Sequence, residues 1–315
     1  MNRSFLLKIF FILIIPVSFF CACSFNNQSG NKDILPKVNP KKAKLGEILF
    51  FDSTLSKDRT VSCASCHKPS HGFADDKPVS VGIKGQLGDR NTPTVFNTFR
   101  LKFLFWDGRA MSLEEQALGP IENPKEMGEE IENVLNKLNN LPYYQKLFEE
   151  AFGKGEITKS KLANAIAEYE RTIISNNTPF DKFISGDKTA LSEGAQRGYE
   201  LFKGKAMCIA CHKGTDFTDG DFHNIGLPVI EDFGRAKITQ KVKDTRKFKT
   251  PTLRELTKTA PYFHTGQFET LEQVIAYYNA GGGIDEYKDP LKEPLNLNEE
   301  EQTDLVEFLK SLSGK

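Results

Sequence analysis

An excess of charge of either sign is missing from this chain. Its 315 residues hold 42 Lys+Arg and 42 Asp+Glu. Balanced charge supplies no basic field for a nucleic-acid backbone, so nucleic acid is not an expected partner and any docking must use a local patch. Histidine (5), methionine (4) and tryptophan (1) are scarce, and the last methionine is Met207. Strand signals are sparse, which argues against a β fold. The N-terminal apolar run, Ile9 to Phe20, is shorter than the ~20 residues a transmembrane helix needs. With 39% hydrophobic and 27% charged residues, the composition suits a soluble globular protein long enough for two domains.

That apolar run follows Arg3 and Lys8 and ends in Phe20-Cys21-Ala22-Cys23. Residues 1–22 read as a signal peptide, and Ala22-Cys23 resembles a lipobox, although Phe20 is unusual at its first position. An ordinary signal peptide cut nearby is the alternative. The favoured reading is an exported lipoprotein, periplasmic or in the cell envelope, anchored to a membrane through lipid on Cys23. Residues 23–40 then form a polar tether. Losing residues 1–22 leaves 40 basic against 42 acidic residues. With Cys21 removed and Cys23 lipidated, no thiol remains for a structural disulfide outside the four motif cysteines.

What the chain does have is one pentapeptide twice: Cys63-Ala64-Ser65-Cys66-His67 and Cys208-Ile209-Ala210-Cys211-His212. C-x-x-C-H attaches a c-type haem: two thiols bond the vinyl groups of one porphyrin and the histidine becomes an axial iron ligand. Paired zinc knuckles usually lie about 15–20 residues apart, far closer than these. A thioredoxin-like pair explains neither the repetition nor the trailing histidines. The flanks repeat as well. Gly46-Glu47-Ile48-Leu49-Phe50 precedes the first motif and Gly198-Tyr199-Glu200-Leu201-Phe202 the second. Lys68 and Lys213 follow, and Phe73-Ala74-Asp75 matches Phe217-Thr218-Asp219.

The expected fold is therefore all-α: two cytochrome-c-like helical domains, residues 41–183 and 184–315, each around one covalently bound haem c, with long loops. Apolar spacing predicts helices over 41–51, 126–138, 159–174, 192–202, 271–278 and 298–312. Residues 180–189 read as a domain boundary, and 72–97 and 216–249 as long, functional loops.

Several further segments resemble the bacterial diheme cytochrome c peroxidase family, with its MauG-type members. They are Asp89-Arg90-Asn91-Thr92-Pro93-Thr94, Phe105-Trp106-Asp107-Gly108-Arg109, Glu115-Gln116-Ala117, Asn123-Pro124-Lys125-Glu126-Met127-Gly128, Phe248-Lys249-Thr250-Pro251-Thr252-Leu253-Arg254 and Thr259-Ala260-Pro261-Tyr262-Phe263-His264. The similarity runs in order from about Leu45 to Leu312. It implies a peroxidase that reduces hydrogen peroxide to water with electrons from a small cytochrome c or cupredoxin. By the resemblance, His67 is the proximal ligand of the peroxidatic haem and His212 that of the electron-transfer haem. Trp106 relays electrons between them, and Gln116 and Glu126 match the distal peroxide pocket. Asn91, Thr259 and Pro261 match a calcium site, and His264 a histidine near the haem pocket. Trp106 also reads as a core aromatic. Glu126 also reads as the N3 residue of a capping box with Asn123, where a helix N-terminus would favour its ionised form. Ser112 and Glu115 read as a structural capping box.

Two departures concern the iron's sixth position. Gly82-Ile83 stands where many members carry Gly-His, and Ile83 cannot ligate; His71 lies too close to His67 to reach the opposite face and reads as loop structure. The first haem is thus expected to keep an open position. No methionine follows the second motif, and alignment of Thr270-Leu271-Glu272-Gln273 puts Tyr278 at the family's methionine position, with His223 as rival ligand or propionate partner. Two alternatives stay beside the peroxidase: a MauG-like oxidase acting on a partner protein, and a non-catalytic diheme electron carrier. A homodimer is compatible with the sequence.

Overall fold

The computed structural model describes residues 35–227, 231–290 and 293–314. The expected signal segment, Cys23 and most of the tether lie outside the described residues. Among them the architecture is helical: α1 (Pro40–Phe50), α2 (Cys63–Cys66), α3 (Leu113–Glu122), α4 (Ile131–Asn139), α5 (Pro142–Phe152), α6 (Lys159–Glu170), α7 (Pro179–Ile184), α8 (Glu193–Lys203), α9 (Ala236–Thr239), α10 (Leu271–Asn279) and α11 (Glu299–Lys310). Strand is confined to β1 (Phe222–His223) and β2 (Phe248–Lys249), paired antiparallel with Phe222 opposite Lys249.

Local chemistry starts these helices. Asn39 Oδ1 accepts the Lys41 and Lys42 N–H groups, and Pro40 needs no donor at the first position. Asn298 and Glu301 form a capping box at α11, each side chain accepting the other's backbone N–H at 2.9 Å. Thr270 and Gln273 do the same at α10. Gly281, at φ 86, follows that helix's end in the left-handed conformation.

Two apolar cores follow the twofold repeat. One gathers Leu49, Phe50, Leu55, Val134, Leu138, Phe148, Leu162 and Ile166. The other gathers Phe180, Phe202, Phe217, Leu305, Phe308 and Leu312. In the first, α1 lies across α6; in the second, α8 lies across α11. The repeated glycines sit at these crossings. A Cβ on Gly46 would come 1.8 Å from the Ala165 carbonyl oxygen, and one on Gly198 would come 1.9 Å from that of Asp304. Gly46→Ala and Gly198→Ala are each expected to lower the unfolding free energy by ~1–3 kcal/mol through overpacking. Chemical denaturation checks this, and an unchanged midpoint in either variant rules the close approach out.

Two expected helices and one expected cap differ. The helix expected over 126–138 begins only at Ile131, because Gly128 turns left-handed (φ 59) and Met127 and Glu129 donate back to the Pro120 and Ile121 carbonyls. Asn123 is accordingly the C-cap of α3 and not an N-cap. α3 itself contains Pro120, which hides the helix from a propensity reading. The helix expected over 159–174 ends at Glu170.

Candidate functional site

The two pentapeptides fold alike. His67 N–H donates to Cys63 O at 2.9 Å and His212 N–H to Cys208 O at 2.8 Å, which sets each histidine beside its cysteines. His67 Nδ1 donates to Phe73 O at 3.0 Å, and His212 Nδ1 donates to Phe217 O at 2.9 Å. Phe73 and Phe217 both take left-handed backbone angles, φ 55 and 52, and this turns each carbonyl toward its histidine. A ring nitrogen fixed in this way sets the tautomer in which the Nε2 lone pair is the one suited to a metal.

The donor set fits haem and not zinc. Among the described residues, the one grouping of three metal-ligating side chains is Cys211, Asp219 and His223. It omits Cys63, Cys66 and His67, so no tetrahedral set surrounds the first motif. In that grouping, moreover, His223 is engaged through both nitrogens, Nδ1 with Asp289 at 2.7 Å and Nε2 with Asp219 at 3.0 Å. Asp289 foremost, then Cys211 and Asp219, raise its pKa to about 10. A cationic imidazole offers no lone pair, so His223 does not fit the role of rival iron ligand.

A cavity of about 990 Å³ opens in front of the first motif, lined by Cys63, Cys66, His67, Trp106, Gln116 and Glu126 among others. α3 supplies Gln116. Glu126 comes from the turn after it, where Asn123 Nδ2 donates to Glu126 Oε1 at 2.6 Å and Ile83 N–H donates to Glu126 O at 2.9 Å. No helix N-terminus stands behind this carboxyl. Burial instead pushes its pKa up, while Asn123 and Arg109 pull it back. The electrostatic sign is the reverse of the one the capping-box pattern implies. The second expected box is half formed: Ser112 Oγ accepts Glu115 N–H, but Glu115 Oε2 accepts from Met111 N–H.

Ile83 is 3% exposed and belongs to the first core. Gly82 beside it has no room for a side chain: a Cβ would lie 2.0 Å from Lys125 O. His71 ends a 3₁₀ turn beside Ser70, with Ser70 Oγ 3.2 Å from its Nδ1. Trp106 is pinned at both ends, its Nε1 donating to Asn91 O at 2.8 Å and its carbonyl accepting Lys249 N–H at 2.8 Å.

Trp106 also meets His264 edge-on, ring centroids 6.1 Å apart, and His264 stacks on Phe248 at 3.5 Å. His264 is buried, its Nε2 has no hydrogen-bond partner, and burial lowers its pKa to about 4; it is a neutral ring. Its carbonyl accepts Asn91 N–H at 2.8 Å. This contact draws Asn91 to the segment that carries Thr259 and Pro261.

At the second motif, two adjacent tyrosines of α10 divide the work. Tyr277 OH donates to Ile225 O at 3.0 Å and accepts Gly283 N–H at 2.8 Å, which locks the loop after β1 to the glycines after α10. Tyr278 is only partly buried by surface area, yet it lies close enough to Cys208 and Cys211 to feel both. Burial, then those two sulfurs, push its phenol pKa up.

Two cavity residues escaped the sequence reading. Lys249 is buried and lines the first cavity, and among the described residues no carboxylate pairs with its ammonium. Burial lowers its pKa to about 8. An anionic group such as a haem propionate would satisfy it, which is a second sign that the cavity fits a haem. No local pattern marks that lysine. Glu170 also lines the cavity and is 5% exposed. Its spacing was a usable signal, because Leu162, Ile166 and Glu170 recur every four residues along the buried face of α6.

Comparison with known proteins agrees with this geometry. A family profile described as di-haem cytochrome c peroxidase matches residues 40–189, and one described as cytochrome c matches 195–313. The methylamine utilization protein MauG of Methylophilus methylotrophus is 40% identical over 286 residues, covering 89% of this chain and 85% of that protein. Cytochrome c551 peroxidase of Nitrosomonas europaea is 38% identical over 291 residues, covering 90% and 83%. The crystal structure of a MauG-like protein associated with microbial copper homeostasis superposes with a TM-score of 0.84 at 30% identity, covering 92% of this chain and 96% of that one. With two cytochrome-c-like halves and two haem-attachment motifs, the chain belongs to the diheme cytochrome c peroxidase family that includes MauG.

Proposed function

We propose that the protein reduces hydrogen peroxide to two waters, taking two electrons from a small reduced cytochrome c or cupredoxin and two protons from solvent. One observation carries the reading: Glu126 and Gln116 face the same cavity as His67. An electron carrier needs no such carboxyl and amide at its cavity. Cys63 and Cys66 would hold one haem covalently with His67 on its iron, and Cys208, Cys211 and His212 the other. When bound, the first haem supplies the iron at which the O–O bond is reduced.

The chain's own residues then do the following. Gln116 orients peroxide by hydrogen bonding. The Glu126 carboxylate accepts a proton from one peroxide oxygen and returns it to the other, which leaves as water. Asn123 holds that carboxyl in place. Trp106, fixed by two backbone contacts, would relay electrons from the second haem. Lys249 would neutralise a propionate. Asn91, with the backbone carbonyls of Thr259 and Pro261, would hold one calcium ion, an all-oxygen set suited to that hard cation. The domain division, expected between residues 183 and 184, is drawn in this reading ahead of Phe180, because Phe180 packs among the residues of the second core. Export and lipidation at Cys23 complete the reading, since c-type haem is attached outside the cytoplasm.

Ile83, which has no donor atom and is buried in the first core, would leave the first haem's iron open at rest, and Tyr278, beside the second motif's sulfurs, would supply a ligand to the second. Electron paramagnetic resonance of the resting ferric protein tests both. One high-spin and one low-spin signal are expected, and Tyr278→Phe should shift only the low-spin one. Two low-spin signals would refute the open site, and an unshifted spectrum in the variant would refute the tyrosine.

The same Ile83 and Tyr278 placements favour a second reading, a MauG-like oxidase of a partner protein. Peroxide assayed with a reduced small cytochrome c separates the two. Rapid donor oxidation supports the peroxidase. Lasting storage of oxidising equivalents with little donor turnover supports the oxidase.

A further inference from the structure

Glu170 is the last residue of α6, and on balance its environment opposes negative charge. It is 5% exposed, and its Oε2 has no hydrogen-bond partner. It stands at the carboxyl end of a helix, where the aligned peptide dipoles place partial negative charge. The adjacent guanidinium is drawn elsewhere: Arg171 Nη2 donates to Glu114 Oε1 at 2.7 Å and Nη1 to Glu168 Oε1 at 3.5 Å.

The charged and titratable groups that face Glu170 are therefore few. Arg171 lowers its pKa, Glu114 of α3 raises it, and Cys63 across the cavity wall feels its charge. Burial is the largest effect and lifts the carboxyl to about 8. An acid poised near neutrality beside an apolar wall is uncommon without a use. Nothing in the proposed peroxide chemistry employs it, because Glu126 and Gln116 supply that function.

Its position suggests the use. Glu170 lines the same cavity as Cys63, Cys66 and His67. An electron that enters this cavity adds negative charge in a medium of low dielectric, where charges interact strongly. A nearby carboxylate is then disfavoured and its neutral acid favoured. We propose that Glu170 is the proton-binding residue coupled to the redox state of the haem at Cys63–His67. It takes up one proton when that haem gains one electron from an external one-electron reductant, and it releases the proton when the haem is reoxidised. Net charge in the cavity is conserved in both directions. The inference rests on the haem placement given above.

The test is a spectroelectrochemical titration of the holoprotein at pH values on both sides of 8. The midpoint potential of the first haem should fall by about 59 mV per pH unit there, the one-electron equivalent of a tenfold change in proton concentration. The isosteric Glu170→Gln should lose that slope, while the second haem titrates as in the wild type. A reduced-minus-oxidised infrared spectrum of the wild type should show a protonated-carboxyl band that the variant lacks. An unchanged slope in Glu170→Gln, or no such band in the wild type, overturns the proposal with both haems in place. A haem count of one, confined to Cys208–His212, overturns the placement and the proposal with it.

Discussion

Glu126→Gln is expected to slow peroxide-dependent oxidation of a reduced donor by about 10²- to 10⁴-fold, the range a positioned general base contributes, with both haems retained. The amide keeps the shape and the contact with Asn123 but cannot take a proton. The pH dependence gives an independent check. Burial raises the Glu126 pKa above the ordinary carboxylate range, and the base is the deprotonated form. Activity should therefore rise with pH through that raised pKa and fall away on the acid side, with the acid limb at higher pH than an exposed glutamate would give. In Glu126→Gln the limb should vanish along with most of the rate. Steady-state kcat/KM against pH for both proteins measures this. A variant within a factor of two of wild type, or an unaltered acid limb, removes Glu126 from the chemistry.

The second large effect is structural. Phe308→Ala should cost about 3–5 kcal/mol of stability, as expected for a fully buried aromatic truncated in a packed core. Phe308 is 0% exposed and holds four rings together: Phe202 at 5.0 Å, Tyr199 at 5.1 Å, Phe180 at 5.5 Å and Phe217 at 6.2 Å. Phe217 carries the carbonyl that accepts His212 Nδ1–H. Truncation should thus also disturb the second haem's optical spectrum while sparing the first. Phe148→Ala is the control, because Phe148 is equally buried but lies in the other core. Denaturant unfolding followed separately at each haem decides the matter. A loss below about 1 kcal/mol, or equal disturbance of both haems, would contradict this linkage of core to ligand.

The weak sequence repeat has a structural meaning. Gly46 and Gly198 mark the two helix crossings, and Phe73 and Phe217 mark the two carbonyls that orient the histidines. These were legible because each motif acts over a few residues of its own chain. The capping boxes at Thr270 and Asn298 act over the same short range.

Other features needed the fold. Asn123-Pro124-Lys125-Glu126 has the pattern of a helix start, yet Gly128 and the carbonyls of Pro120 and Ile121 hold it as a turn. The consequence is chemical, since burial and not a helix dipole sets the state of Glu126. His223 could be imagined on iron until Asp219 and Asp289, the second 66 residues away, closed on both its nitrogens.

By itself the sequence determined what depends on short range and chain order: covalent attachment of two haems, all-helical halves, and the family. Tertiary structure alone decided that Tyr277 ties the loop after β1 to the glycines after α10, that Lys249 and Glu170 share the first cavity, and which way each buried group leans in its ionisation. The physical reason is that burial and counter-charge come from segments distant in sequence, and a charge in low dielectric responds to those neighbours more than to its own chain.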